Sequence, residues 1–81
     1  MSQVWFYESR VGTFYITEER GRYLLKFEDD PLSSYDHPWQ ASDDLSLGTV
    51  DSILDHNGNI IDVAFLDIPS DLKEWQHMLP M

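Results

Sequence analysis

The chain has 81 residues, in which fifteen Asp and Glu face five Lys and Arg, giving a formal net charge of −10, and it has no cysteine. That length allows one domain with a marginal core, while 42% hydrophobic and 14% aromatic residues are too many for a disordered chain. The charge repels phosphate and argues against direct nucleic-acid binding. Without cysteine there are no disulfides, thiolate nucleophiles or Cys-based zinc and iron–sulfur sites.

The N-terminus, Met1–Ser2–Gln3–Val4–Trp5, shows no basic stretch leading into an apolar run, and no window approaches 18 uncharged apolar residues. A cytoplasmic protein without membrane association is the expectation. Residues 4–8 (VWFYE) are dense in β-branched and aromatic types and predict a strand. Residues 13–18 (TFYITE) predict a second, with Phe14 and Ile16 on one face and Thr13, Tyr15 and Thr17 on the other. Ser9–Arg10–Val11–Gly12 joins the two as a hairpin turn. Glu19–Arg20–Gly21–Arg22 closes the next, with Gly21 free to take positive φ. Residues 22–28 (RYLLKFE) form the third strand, with Tyr23, Leu25 and Phe27 sharing a face. Asp29–Asp30–Pro31 interrupts this three-stranded antiparallel meander, and Leu32–Ser33–Ser34–Tyr35 can add a short strand.

The period then changes. Asp36 or His37 caps a short helix with Pro38 in its first turn; with His37 as the cap, Gln40 stands at the capping-box position. Pro38, Ala41, Leu45 and Gly48 fall on one side and cover the sheet, and Leu47–Gly48 ends the helix. Three strands need such a cover to be stable. Val50–Leu54 and Ile60–Leu66 flank Asp55–His56–Asn57–Gly58–Asn59, and its Asn-Gly step favours a second hairpin with Ile53, Ile61, Val63 and Phe65 pointing inward. Ile68 to Trp75 reads as a short C-terminal helix capped by Ser70, with Leu72 and Trp75 as an i, i+3 packing pair. The expected class is therefore α+β: a three-stranded meander under a short helix, a second hairpin and a short C-terminal helix, in one domain over residues 1–81.

Two segments, SRVGTFYI…GRYLLKFEDDPLSSYDHPWQASDDL (9–45) and DIPSDLKEW (67–75), resemble a family of small bacterial single-domain proteins of uncharacterised role. The resemblance implies a compact β-rich sheet, a helix opening with a His/Ser-Pro turn and an Ile-Pro…Leu…Trp tail. It carries over no catalytic or binding residue. Architecturally, three antiparallel strands and a packed helix are also similar to plant-type three-stranded DNA-binding domains and the amino-terminal domains of some phage integrases. Those present basic residues on the exposed sheet face. Here that role falls to Arg10, Arg20, Arg22 and Lys26, among Glu8, Glu18, Glu19, Glu28, Asp29 and Asp30, so the net field opposes phosphate contacts.

The run Asp55–Asn59 has the oxygen donors of a calcium loop but the wrong register: Gly58 precedes Asn59, and the twelfth position is Leu66. It reads as a turn. His37, His56 and His77 form no zinc spacing; His37 belongs to the helix start, His56 to an exposed turn and His77 to the chain end. Asp29–Asp30 and Asp43–Asp44 are adjacent, so their side chains diverge, and a chain this short rarely builds the dry pocket that acid/base catalysis needs. No enzyme activity, cofactor or metal is expected.

Trp5, Phe6 and Tyr7 are consecutive and cannot share a face. Trp5 and Tyr7 take one, Phe6 and Val4 the other. The second face is thus not purely polar, and residues 50–75 are expected to cover it. The alternative is an exposed aromatic patch, with Tyr7, Tyr15, Trp39 and Trp75 as candidate protein-contact residues; Trp75 is then either a core plug or a dimer contact. The favoured function is a non-enzymatic acidic protein-interaction or regulatory domain with a protein partner, a basic one among the options, as monomer or weak homodimer. The alternatives are a nucleic-acid-associated regulator with a DNA-binding-like three-stranded sheet, and a small-ligand or metal binder.

Overall fold

A computed structural model describes residues 3–47, 53–54 and 57–78, apart from the side chains of residues 64 and 65. The first three strands form as expected: β1 (Val4–Ser9), β2 (Gly12–Glu19) and β3 (Arg22–Phe27). Local chemistry sets both turns. The Ser9 hydroxyl donates to the Gly12 carbonyl at 2.6 Å and accepts the Val11 N–H at 3.3 Å. Arg20 and Gly21 have φ of 52° and 80°, the pair of positive values that a type I′ hairpin requires. Gly12 is held by space as well as by its φ of 152°, since a Cβ there would stand 2.8 Å from the Phe27 ring.

The three-stranded meander is corrected to a five-stranded antiparallel sheet in the order β4-β3-β2-β1-β7. β4 (Asp30–Tyr35) continues the meander through Asp30–Pro31, where an interruption was expected. Pro31 is tolerated because β4 is an edge strand, and the β3–β4 register shifts at Leu25/Lys26. The fifth strand, β7 (Gln76–Met78), comes from the far end of the chain and pairs with Val4–Phe6. It forms because the free edge of β1 would otherwise leave backbone donors and acceptors unpaired.

The expected C-terminal helix is also corrected. It is a single 3₁₀ turn, Leu72–Glu74, capped by Asp71, whose carboxylate accepts the Lys73 N–H at 2.9 Å. Ser70 is not the cap; its carbonyl accepts a hydrogen bond from Ser42. The turn stops at Trp75, which is extended (φ −88°, ψ 154°) and carries the chain to the edge of β1. Among the described residues the second hairpin pairs β5 (Ile53–Leu54) with β6 (Ile60–Ile61), and Val63–Leu66 is a 3₁₀ turn instead of a continued strand. Gly48, Val50, Asp55 and His56, and the inward side chain assigned to Phe65, lie outside the described residues.

The helix, α1 (Pro38–Leu47), opens with one arm of the expected capping box: the His37 N–H donates to Gln40 Oε1 at 3.1 Å, while the Gln40 N–H donates to the His37 carbonyl. Ala41 and Leu45 are buried, as the stripe required. Ser42 is also fully buried. Its hydroxyl donates to the Ser70 carbonyl at 2.7 Å and lies 3.1 Å from that of Trp39, tying the helix to the C-terminal segment.

One apolar core results. Trp5, Phe14, Ile16, Leu25 and Phe27 from the inner sheet face meet Ala41, Leu45, Ile53, Val63, Ile68 and Trp75 from the covering layer. Phe14 and Phe27 pack at 4.9 Å and Trp5 and Tyr23 at 6.0 Å between ring centroids, distances at which aromatic pairs add to simple burial. His77 is part of β7, its ring stacked on Trp5 at 4.5 Å and its Nε2 lying 3.0 Å from Gln3 Oε1. The buried residues of segment 50–75 that are described join the helix on the inner face, so the expectation that this segment covers the second face is corrected. The chain gains more from closing a single core than from two thin ones, because a chain of this size has little apolar area to divide.

Candidate functional site

The four candidate contact residues do not form one surface. Trp75 is a core plug, 4% exposed, whose Nε1–H donates to the Pro69 carbonyl at 2.8 Å. Tyr7 packs against it at 5.8 Å. Tyr15 lies on the outer face of the sheet beside Phe6, 6.4 Å away between ring centroids. Trp39 projects from the first turn of α1 and is 56% exposed, with the His37 ring stacked nearby at 5.7 Å.

The four cations of the strand region do not converge. Arg10 lies in the β1–β2 turn and Arg20 in the β2–β3 turn, at opposite ends of the eight-residue β2, roughly 25 Å apart at strand rise. Arg22 is taken by Asp36 at 3.0 Å, and Lys26 pairs with Tyr15 and Pro31 across the sheet. Among the described residues no group of three or more His, Asp or Glu is placed to hold a metal ion, and no helix is long and apolar enough to cross a membrane. Two open clefts mark the sheet margins. One, of about 380 Å³, is bounded by Phe6, Tyr7, Glu8, Glu74 and Gln76. The other, of about 310 Å³, runs from Phe27 and the start of β4 to Ile53 and Leu54.

Charge is the feature that separates the surfaces. Residues 1–35, which build β1–β4, hold six acids against four cations, whereas residues 36–81 hold nine acids against Lys73 alone. The described acids of the second group include Asp43, Asp62, Asp67, Asp71 and Glu74, all exposed. The segment that follows β4 therefore carries the larger share of the negative charge. On it, the outward side of α1 presents Trp39, Asp43 and the 64% exposed Leu47 at successive i, i+4 positions. Leu47 was read only as a helix end. Its spacing from Trp39, opposite the Ala41–Leu45 stripe, was the signal that marks it as part of a second helix face. No protein-family model, no curated protein and no solved structure matches the chain.

Proposed function

We propose that this chain is a non-enzymatic protein-interaction domain that binds a basic protein partner through the acidic layer over its core, with Trp39 as the anchor. The observation that carries this reading is the exposed Trp39–Asp43–Leu47 face of α1, in the part of the chain (residues 36–81) that holds nine of the fifteen acids. Charge steers a basic partner to this side. A partly exposed Trp with an aliphatic neighbour and an acid between them supplies the anchor that charge alone lacks. The helix backbone is locked from beneath by Ala41, Ser42 and Leu45, so the contact face is presented without an ordering cost.

Affinity capture from cell lysate at low and high salt, run in parallel with the wild-type chain, Trp39→Ala and Asp43→Lys, tests this. The expected result is a basic protein held at low salt, released at high salt and weakened by more than ~1 kcal/mol in Trp39→Ala. Both variants remain folded, because neither side chain enters the core. Equal capture by wild type and both variants, or no salt-sensitive protein at all, overturns the assignment.

A further inference from the structure

The outer face of the sheet is a second surface, with a different character. Two cross-strand rows cross it: Leu24–Thr17–Val4–Met78, and beside it Lys26–Tyr15–Phe6–Gln76. Val4, Phe6, Tyr15 and Leu24 are only half-buried, Met78 is 58% exposed, and none of them joins the core. At the centre the Thr17 hydroxyl is closed to solvent and has no hydrogen-bond partner among the described residues. An apolar patch that carries a single cation, Lys26, beside Tyr15 has the anatomy of an interface and not of a solvated strand face.

We propose that this face binds a second copy of the chain, sheet against sheet, about a two-fold axis passing near Tyr15. Charge selects this occupant. With −10 on each chain, two copies repel wherever their acidic layers approach. Packing by the outer faces leaves a gap of about 10 Å between sheets and sets the two acidic layers roughly 30 Å apart, several Debye lengths at physiological salt. A basic protein, by contrast, is drawn to the opposite side.

The face is also self-complementary. Lys26 on β3 and Glu8 on β1 stand on opposite sides of the central strand β2, and neither enters an ion pair among the described residues. The two-fold axis brings Lys26 of each copy toward Glu8 of the other, which is the reciprocal pattern of an isologous contact. Size sets the strength. Five strands at about 4.8 Å and six residues at about 3.3 Å make a face of roughly 480 Å². The two copies together bury roughly 1,000 Å², the lower limit of a specific interface, so the dimer is weak and exchanges rapidly.

Sedimentation of the full chain from about 20 μM to about 2 mM spans the affinities that such an area allows. The mass is expected to rise toward two copies within that range. Glu8→Lys and Lys26→Glu should each weaken association about threefold or more, and the double variant should restore it, since the exchanged charges again face each other. Phe6→Asp should abolish it, and Trp39→Ala should leave it unchanged. The charge variants carry the test should Phe6→Asp fail to fold. A single-copy mass throughout overturns the proposal. So does a dimer that survives Phe6→Asp and both single charge changes, which places the contact elsewhere. A monomer that loses a captured foreign protein on Phe6→Asp gives the face to that protein and overturns self-association as well.

Discussion

The two faces of one sheet are made of the same strands and of similar side chains, yet they have opposite fates. On the inner face Phe14, Ile16 and Leu25 are wholly buried; on the outer face Phe6, Tyr15 and Leu24 alternate with them and are only half-buried. Strand composition does not distinguish them. What distinguishes them is the cover: the buried apolar residues of α1, the β5–β6 hairpin and the 3₁₀ turns pack on the inner side. An aromatic residue in a strand is thus core or contact surface according to what a distant part of the chain does.

The largest effect that tests this difference is Phe14→Ala. It leaves a cavity in a fully packed site and should cost ~3–5 kcal/mol in urea unfolding. Phe6→Ala, measured at a concentration where the chain is monomeric, should cost less than half as much, because Phe6 lies outside the packed core. Equal losses would mean that the outer face is packed as tightly as the inner one. Next, Gly12→Ala forces a methyl group against the inner-face Phe27 ring and strains a positive φ, and should destabilise by ~2–3 kcal/mol. Gly21→Ala meets only open space and should cost about 1 kcal/mol from φ alone.

Ser42→Ala probes the attachment of the cover. It removes the hydrogen bond to the Ser70 carbonyl and leaves that acceptor unmatched, at a cost of ~1–2 kcal/mol. Amide exchange should speed up in residues 68–75 more than in the β1–β2 hairpin; uniform acceleration would count against Ser42 as a local tie. The smallest effect has the opposite sign. Thr17→Val replaces a shielded, unpartnered hydroxyl on the outer face with a methyl group of the same shape, and should raise stability by ~0.5–1 kcal/mol. A destabilised Thr17→Val would reveal a polar partner for that hydroxyl and would make the outer face less apolar than described.

Much of the local structure was legible because its causes lie within four residues of one another. The His37–Gln40 capping box, the positive φ of Gly21 and the alternation in β1–β3 all follow from side chains acting on adjacent backbone. The misreadings have one common cause. β7 has three exposed residues, Gln76, His77 and Met78, with no strand signature of their own, and its partner β1 lies at the other end of the chain. Residues 60–66 alternate like a strand, but Val63–Leu66 close into a 3₁₀ turn where packing on α1 outweighs local preference. Of the candidate contact residues, Trp39 and Tyr15 kept accessible positions, while Trp75 was drawn into the core. Nothing in the sequence around a single Trp tells a plug from an anchor, since both use the same large apolar area.

By itself, then, the sequence determined the hairpins, the helix start, the inner and outer sets of strand residues and the excess of negative charge. These are consequences of turn chemistry, of the two-residue period of a strand and of composition. Only the tertiary structure decided which face received the cover, that the sheet has five strands, and that Trp75 is buried while Trp39 is exposed. Those outcomes depend on contacts between residues far apart in the chain, where the free energy of closing one shared core outweighs any local preference.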